Sequence, residues 1–179
     1  TEPAARIEAG GLSGLPPKGA DWVIGADPGR SSLVFGKADR KSLMHGRSFI
    51  VNAARQTART GDVANADALR GEVDAAIAAT SGRMRVVQSK TEAYVDSELG
   101  TDCVRFETLI EERNNPKQPG KLLLMTSYGK ACRHPDSPTH YVVLTCSERR
   151  PADSAPLLNE ALRGECARTL DSLRFRPLP

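Results

Sequence analysis

Hydrophobic positions along this chain change period twice. Between Asn65 and Thr80, residues Ala66, Leu69, Val73, Ala76, Ile77 and Thr80 recur at three- and four-residue spacing, the stripe of an amphipathic helix. Further alanines in the segment favour helix, and Ser81-Gly82 supplies a stop. Upstream, Phe49, Val51 and Ala53 alternate with Ser48, Ile50 and Asn52, which predicts a strand over Arg47–Thr57 with one buried face. Trp22-Val23-Ile24 and Leu33-Val34-Phe35 predict two short strands around the turn Ala26-Asp27-Pro28-Gly29-Arg30, and Asp39–Gly46 reads as a polar loop.

Downstream the period returns to two. Arg83–Leu99 reads as extended and ends at Gly100. Cys103–Glu112, Lys121–Cys132 and Tyr141–Cys146 predict three further strands, separated by the loop Arg113–Gly120 and the turn His134–Pro138. Connections this short require antiparallel pairing. The last strand leads through Ser147-Glu148-Arg149-Arg150 into a closing helix from about Ala155. Ser154 is its expected N-cap, Pro156 lies in its first turn, and Leu158, Leu162, Cys166, Thr169 or Leu170, and Leu173 share one face. Before all of this, residues 1–20 carry Gly10, Gly11, Gly14, Gly19, Pro3, Pro16 and Pro17 with few large apolar side chains. They read as a flexible leader, and residues 21–179 as one α/β domain.

Composition narrows the function classes. The net charge of +3 is scattered among carboxylates, and aromatics make up only 4% of the chain, so neither the basic stripe nor the stacking platform of a nucleic-acid binder is present. No apolar run approaches the ~20 residues of a transmembrane segment. The sequence does not begin with Met, and with the leader this suggests an exported protein, lipid-anchored through a removed N-terminal segment. It would be periplasmic or held at a membrane facing the periplasm.

A strand ending in Ser147-Glu148-Arg149, a capped helix and then Ser172-Leu173-Arg174-Phe175 resembles the ending of the PsbP-like superfamily, which includes PsbP proteins, the periplasmic lipoprotein DcrB and a nuclear Ran-binding relative. Asp102-Cys103-Val104-Arg105 and Cys132-Arg133-His134-Pro135 look like motifs of bacterial lipoproteins of that kind. The resemblance covers roughly residues 81–177. It implies a central antiparallel sheet flanked by helices, an α/β/α sandwich, in a group whose better-known members act by binding protein partners. Fold alone does not transfer function.

Four cysteines, with no CxxC pair among them, allow three full pairings. If Glu112 lies opposite Lys121, Cys103 lies opposite Lys130 and one diagonal step from Cys132, near enough for a Cys103–Cys132 bridge after a small slip. Elimination then leaves Cys146–Cys166, with two buried thiols as the plainer reading. Cys132, His134, His140 and Cys146 offer zinc-type ligands, but their spacing matches no standard module and both histidines flank a turn where solvated imidazoles are usual. No G-x-S-x-G elbow, Walker motif or dinucleotide-binding glycine pattern occurs, so no catalytic residue and no cofactor are assigned. His45 has no placeable partner, and Glu107, Glu111 and Glu112 read as solvated strand carboxylates. Arg133, His134, Glu148, Arg149 and Arg150 are the expected contact surface for an envelope protein, with a bland reading of solvated turns beside it. The expected function is a non-enzymatic, exported accessory protein. The alternative is a small-ligand or metal-binding periplasmic module.

Overall fold

Side chains alternate along the strand His140–Pro151 so that Tyr141 and Val143 enter one core while Val142, Leu144 and Cys146 enter another. This strand, β9, is the centre of a seven-stranded sheet in a computed structural model that describes residues 5–25, 31–38, 40–80 and 82–178. The sheet runs β3 (Trp22–Ile24), β4 (Ser32–Lys37), β5 (Ser48–Thr57), β9, β8 (Leu123–Arg133), β7 (Thr101–Glu112) and β6 (Met84–Asp96). Every neighbouring pair is antiparallel.

Helix α2 (Ala66–Ala78) covers one face, setting Leu69 and Val73 against Val104, Phe106, Ala131 and Tyr141. Its start is fixed by Asn65, whose side chain accepts the Ala68 N–H at 2.9 Å. Helix α3 (Glu160–Asp171) covers the other face, where Cys166 and Leu170 meet Val51, Ala53, Val142 and Leu144. The chain is therefore an α+β protein, an antiparallel sheet with a helix on each face, which is the architecture expected above.

Four details differ from the sequence reading. Residues Ile7–Ala9 (β1) and Leu12–Gly14 (β2) are strands rather than part of a loose leader, and with Arg174–Phe175 (β10) they form a second, three-stranded sheet. Gly10 and Gly11, at φ 39° and 93°, make the two-residue turn that joins them. Leu12 and Ser13 are fully buried, so the glycines serve a hairpin whose partner strand lies at the other end of the sequence. Within the expected loop, Arg40–Met44 forms a short helix, α1.

The third difference concerns α3, which starts five residues later than expected. The Leu157 and Leu158 N–H groups are taken by the Glu148 carboxylate at 2.9–3.1 Å, which holds the backbone around Pro156 out of a helix. Asn159 then caps α3 by accepting the Leu162 N–H at 3.2 Å. Finally, β7 and β8 pair with Glu112 opposite Leu123, two residues on from the expected register, which sets Cys103 directly opposite Cys132. The expected turn at Ala26–Arg30 and the Ser81 part of the α2 stop lie outside the described residues.

Candidate functional site

Both cysteine pairs are joined. Cys103–Cys132 ties β7 to β8 across adjacent strands with a Cα separation of 4.1 Å, and Cys146–Cys166 ties the central strand to α3 at 6.2 Å. All four residues are buried.

These bonds remove the zinc set. The sulfurs of Cys132 and Cys146 are each bonded to another cysteine, and the two histidines have other work. His134 is fully buried. Its Nδ1 accepts the Asp136 N–H at 3.2 Å, so Nε2 carries the hydrogen and lies 3.1 Å from the Gly11 carbonyl and 3.0 Å from that of Arg176. His140 Nδ1 lies 2.8 Å from the Ser137 hydroxyl in the same turn. The grouping of Asp96 with Cys103 and Cys132 is likewise closed to a metal, since both of its sulfurs form the first disulfide.

Two of the five residues expected to form a contact surface, His134 and Glu148, are buried instead. Besides His134, Glu148 is fully buried and pairs with the Arg47 guanidinium at 2.8 Å, a partner a hundred residues away. Arg149 reaches the buried carboxylate of Glu112 at 3.2 Å, which also receives Arg83 at 2.7 Å and the Asn115 amide at 3.0 Å. Glu112 is thus no solvated strand carboxylate. Arg150 donates to the Ser154 carbonyl, and Arg133 stands 3.8 Å from Asp102. Only Arg133, Arg149 and Arg150 keep partial exposure. His45, exposed just past the end of α1, bonds the Lys41 carbonyl of that helix at 2.6 Å.

Several concavities open among the described residues, and two of them, one on each face of the large sheet, lie beside the helices. The first is a cavity of about 230 Å³ between α2 and the sheet, walled by Val73, Ala76 and Ile77 and floored by Phe106, Ile110 and Val143. Its floor is low where two small residues of β8, Ser127 and Ala131, line it. Gly129, between them in sequence, is required by the neighbouring strand instead: a β-carbon would sit 1.8 Å from the Leu144 carbonyl oxygen of β9. The only sequence signal for this floor is a pair of small residues, Ser127 and Ala131, four apart on one strand.

The second concavity, about 560 Å³, lies between the end of α3 and strands β6–β8 and is polar. Its cations are engaged: Lys130 bonds Asp96 at 3.0 Å, and Arg105 stacks over the Tyr94 ring at 4.0 Å. Burial tends to raise the Asp96 carboxyl, but the Leu99 N–H, Lys130 and the Glu98 N–H together hold it below its ordinary range. Burial pushes the Tyr94 and Tyr128 hydroxyls up. No helix among the described residues is long and apolar enough to cross a membrane.

The fold and grooves define an α+β sheet protein stapled by two disulfides. No family model matches the chain, and no curated protein matches it. Among solved structures it is similar to the Saccharomyces cerevisiae Ran-binding protein Mog1p, at 12% identity and a TM-score of 0.43 over 96% of each chain. A point mutant of Mog1 gives 15% identity and a TM-score of 0.43 over 95% of this chain and 94% of that one. A Bacteroides thetaiotaomicron VPI-5482 protein gives 14% and 0.35 over 97% of this chain, which spans about half (49%) of the other. These neighbours are Mog1 and a bacterial protein rather than PsbP or DcrB, so the PsbP-like membership read from the C-terminal motifs is withdrawn. The likenesses are too distant to transfer a partner.

Proposed function

We propose that this protein is a non-enzymatic accessory protein of an oxidising compartment, the periplasm, that binds another envelope protein through the apolar groove beside α2. The groove carries this reading. At about 230 Å³ it falls below the ~300–1,000 Å³ of small-molecule sites, and apolar groups from helix and sheet line it almost throughout. It has room for one or two large apolar side chains of a protein partner, the kind of anchor that dominates interface energetics. Two buried disulfides support the oxidising compartment, because such bonds persist in exported proteins and are rare in the cytosol.

The small-ligand alternative rests on the polar groove, whose 560 Å³ is large enough for a metabolite. One experiment separates the two. The disulfide-intact protein captures a partner from solubilised envelope, and Ile77→Glu, at the groove wall, abolishes capture while Arg105→Ala, in the polar groove, leaves it intact. Equal capture by Ile77→Glu overturns the reading. Native mass spectrometry showing a bound small molecule lost with Arg105→Ala favours the alternative.

A further inference from the structure

The outer edge of β6 is a 13-residue strand with no neighbour among the described residues, and two of its apolar side chains stand in solvent, Val87 at 47% and Val95 at 68% exposure. Lysines and bulges ordinarily blunt such an edge, and β6 has both, with its register shift at Val86/Gln88. Yet here the charges have both signs. Lys90 and Glu92 lie two positions apart, on the same face, exposed and without an ion-pair partner among the described residues.

The geometry points to a second copy of this chain as the occupant: two β6 strands pair antiparallel about a two-fold axis at Thr91, joining both sheets edge to edge. The hydrogen-bonding phase permits it. Cys103 and Cys132 are directly opposed with a Cα separation of 4.1 Å, close to the spacing of a non-hydrogen-bonded pair. Cys103 therefore directs its N–H and C=O towards Tyr94 in β6, its register partner. Tyr94, Glu92 and Lys90 then bond inward, which leaves the backbone groups of Ser89, Thr91, Ala93 and Val95 aimed out of the sheet. Centred on Thr91, these outward residues face one another across the axis.

Side chains select that centre. It sets Lys90 opposite Glu92 of the second copy and Val87 opposite its Val95, and the two-fold repeats both pairs. A one-residue shift of the centre either way is self-repelling, since centring on position 90 opposes two lysines and centring on 92 opposes two glutamates. Opposite charges across strands stabilise and like charges oppose. Strand addition of this kind supplies its affinity through the backbone and its register through the side chains.

Sedimentation of the disulfide-intact protein over a dilution series tests this. A concentration-dependent dimer is expected. Lys90→Glu and Glu92→Lys, both solvent-exposed changes, should each weaken it by roughly tenfold, because each creates two like-charge oppositions. The combined swap Lys90→Glu/Glu92→Lys should restore the wild-type constant. A protein that remains monomeric throughout, a dimer indifferent to the single reversals, or a swap that fails to restore association overturns the assignment. Near-UV circular dichroism of each variant checks that the fold is retained.

Discussion

Glu148 on the central strand and Arg47 at the start of β5 form a buried ion pair at 2.8 Å, and the same carboxylate receives the Leu157 and Leu158 N–H groups. One side chain thus settles both a charge and the approach to α3. Removing one member of a buried pair strands the other, at a cost of about 3–5 kcal/mol. Glu148→Ala should lose that much stability in urea unfolding, and Glu148→Gln, which keeps the acceptor for Leu157, should lose clearly less. Equal losses from the two variants would show that the N–H contacts contribute nothing.

Gly129 cannot carry a side chain where β8 meets β9, because the Leu144 carbonyl occupies the space. Gly129→Ala should destabilise by at least the ~1–3 kcal/mol typical of overpacking, since backbone rather than a flexible side chain has to move. Gly164→Ala in α3, where nothing lies within 4 Å of a β-carbon, should instead stabilise by ~1 kcal/mol through helix propensity. Thermal unfolding of the two variants side by side provides the comparison.

The two disulfides close separations of 29 and 20 residues, and chain entropy assigns roughly 3 kcal/mol to each. Cys146→Ser/Cys166→Ser and Cys103→Ser/Cys132→Ser should lower the urea midpoint by similar amounts. Proteolysis under non-reducing conditions, followed by mass spectrometry, should return peptides linked 103 to 132 and 146 to 166. Any other linkage contradicts the structure.

Acid should unfold the protein in part through Glu72. Burial alone would raise this carboxyl, but the Arg59 and Thr60 N–H groups, at 2.9 and 3.2 Å, and the Thr60 hydroxyl outweigh it and hold the group below its usual value. Asp96 is lowered in the same sense. A carboxyl depressed by folding contributes stability at neutral pH and loses it as pH falls from the unfolded value, about 4, through the lower folded one. Glu72→Gln should therefore be less stable than wild type at pH 7 and lose less on acidification. Urea midpoints measured from pH 7 to pH 3 check this, and parallel curves would contradict it.

Much of this fold was legible wherever local periodicity and burial agree. Leu69, Val73 and Ile77 marked α2, and Phe49, Val51 and Ala53 marked the buried face of β5, because each element meets its core through its own repeat. What misled was chemistry settled by distant partners. His134 and Glu148 occur in polar stretches that read as surface. They are buried because Gly11 and Arg176 satisfy the imidazole and Arg47 the carboxylate, and no local window contains those groups. The helix start was misjudged because Ser154-Ala-Pro156 is good first-turn chemistry, and nothing nearby in sequence announces that Glu148 will claim the next two N–H groups. The groove beside α2 was invisible for a related reason: a cavity arises from what small residues such as Ser127 and Ala131 lack.

The pairing of β2 with β10 bears on how the molecule comes into being. Ser13 lies opposite Arg174 and Leu12 opposite Phe175, so a segment near the front of the chain waits for one near its end. A polypeptide emerging amino-terminus first, whether from a ribosome or through a translocation pore, can assemble the β6–β9 meander as it appears. It cannot finish the small sheet until the residues between these two strands have emerged, and such long-range closure is intrinsically slow. During that interval Leu12 and its neighbours are uncovered, which makes the early hairpin the natural point of attack for proteases and the natural handle for a chaperone.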